Sequence, residues 1–390
     1  MDASAYPVIV IGAGPVGLSL ALSLLQRGRY VLVFEQRPTL AHDPRATTLQ
    51  PPTLQMFHDH GVLAEMEARG RRVHALQYWD WPTRRRLAEV SLASLRSHLQ
   101  TPYRLHVPQR EVCQVLFAAI EALQPGTVQL GNRVESFTDH GEVVDLVVQQ
   151  DGRQRMVRGS LLCAADGSRS PVRSALGIEL VRTGEKTPFL TFETDLDGGD
   201  VLEMQLDGDL ADSAWLVRKQ GWGLFMRMAD SVRFLVTVGE ADARGMADAA
   251  LKPLQTEMFA GQDVHCRYRA IYLVHQGIAE RLHQGRVVLL GDAAHATFPV
   301  AGTAMNAGIH DAFELAGTVA VEGSLADWAA RRRAAVEHHV NTHARATSAA
   351  LDTKRRGEKR SRDRYLAGLS APEAAREHVF WASMMERALG

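Results

Sequence analysis

Residues 6–35 read YPVIVIGAGPVGLSLALSLLQRGRYVLVFE. The opening run, Tyr6 to Ile11, is almost wholly apolar and rich in β-branched side chains, the composition of a parallel strand covered on both faces. A glycine-rich turn follows at once. Next come an apolar-periodic helix that runs to Arg27 and stops at Gly28, and a second strand, Tyr30–Phe34, ending on Glu35. In this βαβ unit Gly12 permits the tight turn, Gly14 lets the backbone approach a pyrophosphate, and Gly17 lets the helix pack on the strand, with Pro15 among them. Negative charge is favoured at such a helix N-terminus, where free N–H groups and the helix dipole meet it. Glu35 lies 18 residues beyond Gly17, where an acid accepts hydrogen bonds from adenosine ribose hydroxyls. The unit predicts dinucleotide binding; the plainer alternative is a structural turn with a surface glutamate.

Two further strand ends carry glycine and aspartate. The stretch 161–173, LLCAADGSRSPVR, delivers Asp166 and Gly167; the stretch 286–295, RVVLLGDAAH, delivers Asp292. Ligands of open α/β sheets sit outside the carboxyl ends of the strands, so three such ends imply one extended ligand. Between them the pattern changes. Runs 188–195, 201–206, 213–218, 222–228 and 232–239 read as strands with no helix between, and Trp222, Leu224, Met226 and Met228 fall on one face. This predicts an antiparallel meander inserted into the first domain, closed near Val274 by a helix and a strand pair. Residues 71–104 read as irregular, and 127–134, 142–149 and 156–163 as three strands.

The ordered set GAGPVG, DGSRSPVR and GDAAH resembles the single-component FAD-dependent aromatic hydroxylases of the 4-hydroxybenzoate hydroxylase type. Arg45-Ala46 ahead of a proline-started helix, and Gln109 ahead of Val112 and Leu116, match further positions of that family. The resemblance covers most of residues 6–345. It implies that Gly12, Gly14 and Gly17 hold the FAD pyrophosphate and Glu35 the adenosine ribose, and that Arg45 and Gln109 contact the pyrophosphate and ribityl region. Asp292 would bind a ribityl hydroxyl, and Asp166-Gly167 would serve both FAD and NAD(P)H. Residues 299–306, PVAGTAMN, would run along the isoalloxazine ring, through Pro299, Gly302, Ala304, Met305 and Asn306. A helix starting near Thr303 would aim its positive end at the flavin N1/C2 carbonyl, where charge collects on reduction. Here the chain departs from the family: Ala304 replaces a usual glycine, and Thr303 stands where Gln or Lys is common.

The implied fold is an α/β, Rossmann-like FAD-binding domain (1–75, 101–182 and 276–345) with an inserted antiparallel β-sheet substrate domain (76–100 and 183–275). A helical C-terminal segment (346–390) completes it. The implied activity is ring hydroxylation of a phenol or hydroxylated N-heterocycle, with NADPH or NADH as reductant and O2 as co-substrate, through a flavin C4a-hydroperoxide. A flavin-dependent halogenase, a lipid-quinone-pathway hydroxylase and a flavin-binding redox sensor are the rival readings. No residue stands out as catalytic base; His295 and Pro299 are the candidates for a catalytic role. Trp79, Trp81, Trp215, Trp222, Phe225 and Met226 are candidates to wall an aromatic pocket, or else ordinary sheet core.

Composition narrows the rest. The 390 residues carry 44 basic and 45 acidic side chains, so no net field steers the chain toward nucleic acid or anionic lipid. Cys113, Cys163 and Cys266 are too few and scattered for a disulfide frame or a zinc site. The basic stretches 354–364 and Arg331–Arg333 lack interleaved aromatics and read as solvated helix faces, and His42, His58 and His60 as surface or helix residues. With no long apolar run and a strand beginning by Tyr6, the expectation is a cytoplasmic protein without integral membrane association.

Overall fold

The computed structural model describes residues 5–41, 46–239, 247–297, 302–341, 347, 351, 356–369 and 371–382. β1 (Val8–Ile11) passes through the glycine turn into α1 (Pro15–Gln26) and returns as β2 (Val31–Glu35), parallel to β1 with Val8 opposite Val31. Leu18, Leu20, Leu22 and Leu24 of α1 are all fully buried, because the helix is packed on more than one side. β3 (Thr48–Leu49) precedes α2 (Pro51–Asp59), whose two leading prolines lack only N–H groups that a first turn would leave unused. α3 (Leu63–Glu67) follows.

The stretch expected to be irregular instead holds β4 (Arg71–Val73), β5 (Ala75–Asp80), β6 (Arg85–Ser91) and β7 (Arg104–His106). Its arginines hid the strands. β6 is an edge strand, and Arg85, Arg86 and Glu89 stand on it facing solvent, as edges require. After α4 (Gln109–Leu123), two of the three expected strands prove to be two each. β8 (Val128–Leu130) turns at Gly131, φ +71°, into β9 (Arg133–Asp139); β10 (Val144–Gln150) follows; β11 (Arg153–Gly159) then runs into β12 (Leu161–Ala164).

α5 (Pro171–Ala175) leads to the long β13 (Leu180–Thr194) and then to α6 (Asp197–Glu203). The expected strand 201–206 is therefore wrong. Gly198 and Gly199 looked like turn residues, but they let α6 lie close on the sheet: a Cβ at Gly198 would strike the Thr194 hydroxyl, and one at Gly199 would come within 3.0 Å of Val232. β14 (Ser213–Val217), β15 (Trp222–Arg227) and β16 (Val232–Thr237) do form the antiparallel hairpins expected. α7 (Ala247–Phe259) and the single long strand β17 (Cys266–Ala279), rather than a strand pair, close the unit against β13. β18 (His283–Gln284), β19 (Val287–Leu289), β20 (His295–Ala296), α8 (Ala304–Ala320), α9 (Leu325–Ala335), α10 (Arg356–Gly368) and α11 (Pro372–Ala382) complete the described chain.

Among the described residues the strands form four sheets. One has the order β18-β19-β12-β1-β2-β8, parallel from β19 to β8, with β1 central. The largest has the order β20-β17-β13-β16-β15-β14-β5-β6. Its two faces bury separate cores. On one, Trp79, Phe225 and Phe234 pack with Leu254 and Met258 of α7. On the other, Tyr78, Trp215, Trp222 and Met226 cluster with Leu366 of α10 and Val379 of α11. Neither basic stretch is wholly solvated: Arg332 and Arg362 are 4% and 6% exposed, drawn in by Asp311 and Asp363. None of the helices among the described residues is long and apolar enough to cross a membrane.

Candidate functional site

The carboxyl ends of β1, β12 and β19 lie side by side. Ala165 donates to the carbonyl of Ile11 at 2.9 Å, and Leu290 to that of Ala164 at 2.9 Å. At the first end Gly12 has φ +105°, and a Cβ there would collide with the Ala165 carbonyl oxygen. A Cβ at Gly17 would collide with the Gly12 carbonyl oxygen. Gly14 differs: no atom lies within 4 Å of where its Cβ would be, and it caps α1 without a side-chain hydrogen bond, Pro15 beginning the helix. An open face beside uncapped helix N–H groups is a place for an anion to rest. Glu35, 5% exposed at the end of β2, accepts from Ala13 N–H at 3.0 Å and from Arg37 N–H at 3.0 Å, which holds its carboxylate against the loop.

Asp166 follows β12. Its Oδ2 accepts from Val172 N–H at 3.2 Å, its Oδ1 is buried without a partner among the described residues, and burial raises its pKa. Gly167 beside it has φ +86° and open space on its Cβ side. Arg173 reaches from α5 to the Ala293 carbonyl at 2.8 Å, tying this strand end to the next. Asp292 is exposed in the 3-10 turn Gly291–Ala293. Gly291 and Gly308 let that turn, α1 and α8 close up, since a Cβ at Gly308 would lie 2.9 Å from Gly291 Cα.

Arg45 and Pro299 lie outside the described residues, so the structure bears on neither. Gly302 has φ +62°, and a Cβ there would stand 3.3 Å from Thr48 Cβ. Thr303 is the N-cap residue of α8, its hydroxyl buried without a partner among the described residues, and Ala304 opens the helix. Met305 is 7% exposed. Asn306 spends its amide on protein: Oδ1 accepts from Gln50 N–H at 2.9 Å, while Nδ2 donates to the carbonyls of Thr48 at 2.9 Å and Gly302 at 2.7 Å. It staples α8 to β3. Gln109 begins α4, half-buried, its N–H on the Ala46 carbonyl at 3.0 Å.

His295 does not stand in an open site. It is 1% exposed, and its Nε2 meets Asp311 Oδ2 at 2.7 Å. That carboxylate also accepts from Gly291 N–H at 3.0 Å and from Arg332 Nε at 2.8 Å. Burial alone would push Asp311 up, but the charges of His295 and Arg332 and these hydrogen bonds bring it down to about 2. The arrangement welds the Gly291 turn, α8 and α9 together.

Alternation along β15 divides the aromatic candidates. Trp222 and Met226 share a face with Trp215; Phe225, Trp79 and Trp81 belong to the opposite core and are corrections to the expected wall. Met226 reaches the Thr47–Thr48 segment, its Sδ 3.3 Å from the Thr47 hydroxyl and 3.9 Å from that of Thr48. The indole Nε1 atoms of Trp215 and Trp222 are buried without partners among the described residues. Sequence reasoning missed three residues here. Tyr78 stacks on Trp215 at 5.1 Å, the Arg104 guanidinium stands 5.9 Å from the same ring, and His106 follows on the same face of β7. All three fall in or beside the stretch read as irregular; alternation in residues 75–80 and 104–106 was the available signal.

Three adjacent strand ends around an open glycine turn define a dinucleotide-binding α/β protein. The chain belongs to the FAD binding domain family, which matches residues 5–329. It is 30% identical over 322 residues to the para-nitrophenol 4-monooxygenase of Pseudomonas sp. strain WBC-3, covering 79% of this chain and 76% of that one. It is 29% identical over 335 residues to the 6-hydroxy-3-succinoylpyridine 3-monooxygenase of Pseudomonas putida strain DSM 28022 / S16, covering 79% and 77%. It spans only 56% of the 6-methylpretetramide 4-monooxygenase of Streptomyces rimosus. The crystal structure of p-nitrophenol 4-monooxygenase PnpA from Pseudomonas putida DLL-E4 has the same fold, with TM-score 0.88, 98% of each chain covered and 23% identity. The chain is an FAD-dependent aromatic monooxygenase, and these relatives favour hydroxylation over halogenation.

Proposed function

We propose that the chain hydroxylates a small, hydroxyl-bearing aromatic ring, phenolic or hydroxypyridine, using NADPH or NADH and O2 and acting in the cytoplasm where those nicotinamides are held. One observation carries the reading: the face of Trp215, Trp222 and Met226 meets the Thr47–Thr48 loop, which Asn306 ties to the Gly302 turn. That puts an apolar, aromatic wall with few polar atoms next to the segment assigned to the flavin ring. The names of the phenol- and pyridine-oxidising relatives point the same way.

Bound FAD supplies the electron and oxygen chemistry. The protein's share is holding and excluding. Gly14's open side, the N-terminus of α1 and Glu35 would receive the pyrophosphate and adenosine ribose; Gln109, Asp166, Gly167 and Asp292 would line the path between. The N-terminus of α8, from Gly302 to Met305, would face the flavin ring, its dipole favouring negative charge there. We assign 1–75, 101–182 and 276–345 to the FAD-binding domain, 76–100 and 183–275 to the substrate domain, and 346–390 to a C-terminal helical segment.

The test is anaerobic loss of flavin absorbance with NADH and with NADPH, in the presence of a panel of phenols and hydroxypyridines. Reduction quickened at least tenfold or so by one ring class is expected of a self-sufficient hydroxylase. A flavin that neither nicotinamide reduces, whatever the ring, would sink the proposal.

A further inference from the structure

His106 is fully buried, and its Nδ1 lies 3.1 Å from the carbonyl oxygen of Arg227. A carbonyl only accepts, so Nδ1 carries the proton in that bond, and in the neutral ring Nε2 presents a lone pair. Nε2 is buried and has no partner among the described residues. An acceptor kept dry and unmatched is costly unless something brings a donor to it.

Its surroundings say what could. Thr48 is its cross-strand partner on β3; the Thr48 carbonyl takes the Asn306 amide, and the Thr48 side chain abuts the Gly302 turn and Met226. Arg104, two residues back on the same face of β7, stands over Trp215. His106 thus sits where the Thr47–Thr48 segment, tied by Asn306 to the Gly302 turn, and the aromatic wall come together. The charged groups around it are Arg104 on its own strand, Arg71 on β4 and Asp212 before β14, the last two paired at 2.9 Å. Burial lowers the ring to about 4, the Arg227 carbonyl opposing this and Arg104 adding to it, so the imidazole is neutral at neutral pH.

We propose that His106 Nε2 accepts a hydrogen bond from the substrate's ring hydroxyl, selecting rings that arrive as the protonated donor. The assignment rests on the ring-hydroxylation reading above. A phenolate oxygen would oppose its lone pair to that of Nε2, and a methyl ether has no proton to give. No proton transfer is required; the hydroxyl is held in one orientation beside the wall.

The experiment titrates the FAD-loaded enzyme with 4-nitrophenol against 4-nitroanisole, and 3-hydroxypyridine against 3-methoxypyridine, reading Kd from the flavin visible spectrum. The wild type is expected to prefer the hydroxyl ring by about tenfold or more. His106→Leu should shrink that preference to about twofold by weakening only the hydroxyl ligand, and His106→Gln, which keeps an acceptor, should restore part of it. A wild type with no preference, or a flavin-loaded His106→Leu that keeps it, would overturn the assignment and leave the ring reading standing. A wild-type flavin that responds to none of the four compounds would overturn both. A second readout needs no loss of the side chain: in [15N]histidine-labelled holoenzyme the His106 Nε2 resonance should move upfield with bound 4-nitrophenol and stay with 4-nitroanisole. Bound 4-nitrophenol that leaves it unmoved would overturn the assignment too.

Discussion

Gly12, Gly14 and Gly17 occupy one motif for different physical reasons, and substitution separates them. Gly14 has φ −82° and nothing near its Cβ position, so Gly14→Ala should cost the flavin-free fold about 1 kcal/mol at most while weakening FAD retention at least tenfold or so. Gly17→Ala drives a methyl into the Gly12 carbonyl and should cost about 3 kcal/mol with or without flavin. Urea melts of the flavin-free proteins, with retained flavin absorbance, check both; equal destabilisation by the two would contradict the geometry. These roles were legible because a backbone demand is local. Those of Tyr78 and His106 were not: Tyr78 bonds His378 at 2.8 Å, 300 residues away, and His106 bonds Arg227, 121 residues away. No spacing rule reaches that far.

Among the elements, α8 carries a heavy buried polar load, with Asn306 and Asp311 both fully buried. The Asp311 carboxyl sits at about 2 in the fold, below the roughly 3.9 of an unfolded aspartate. A lowered folded value stabilises the fold fully above about pH 4, and that contribution is lost as pH falls toward 2. Asp311→Asn should cost about 3 kcal/mol near neutrality, by stranding Arg332 and His295. It should also flatten the acid side of the stability profile. Thermal melts from pH 7 down to pH 2 would show it; an unchanged acid limb would refute the assignment. The sequence marked the start of α8 well: the helix expected near Thr303 begins at Ala304. It misread α6, where the Gly198-Gly199 pair serves close packing on β13 and β16 rather than a turn.

For the molecule as a whole, α10 and α11 decide whether the aromatic face is dry. Tyr78, held neutral by burial, bonds His378, which in turn meets Tyr365 at 3.2 Å, and Leu366 and Val379 join the same cluster. A chain ending at residue 355 should melt at least 5 °C or so lower and show red-shifted tryptophan emission as Trp215 and Trp222 lose cover. Tyr78→Phe should cost only about 1 kcal/mol. A truncated chain with native melting and emission would mean that the face is covered without these helices. The sequence showed that a helical segment follows α8; which surface it covers depends on contacts across most of the chain.

The passage from β19 to β20 ties these scales together. The chain is paired in the parallel sheet at Leu289 and in the eight-stranded sheet by His295, with Asp292 between. Ala279 on β17 also donates to the Ala294 carbonyl at 2.7 Å. So short a connection leaves almost no slack, and the sheets cannot part without extending the turn that carries Asp292. On the proposal that Asp292 lines the cofactor's path, cofactor grip and cooperativity of unfolding become properties of the same few peptide bonds, so that loosening the hold on one sheet loosens the hold on the ligand.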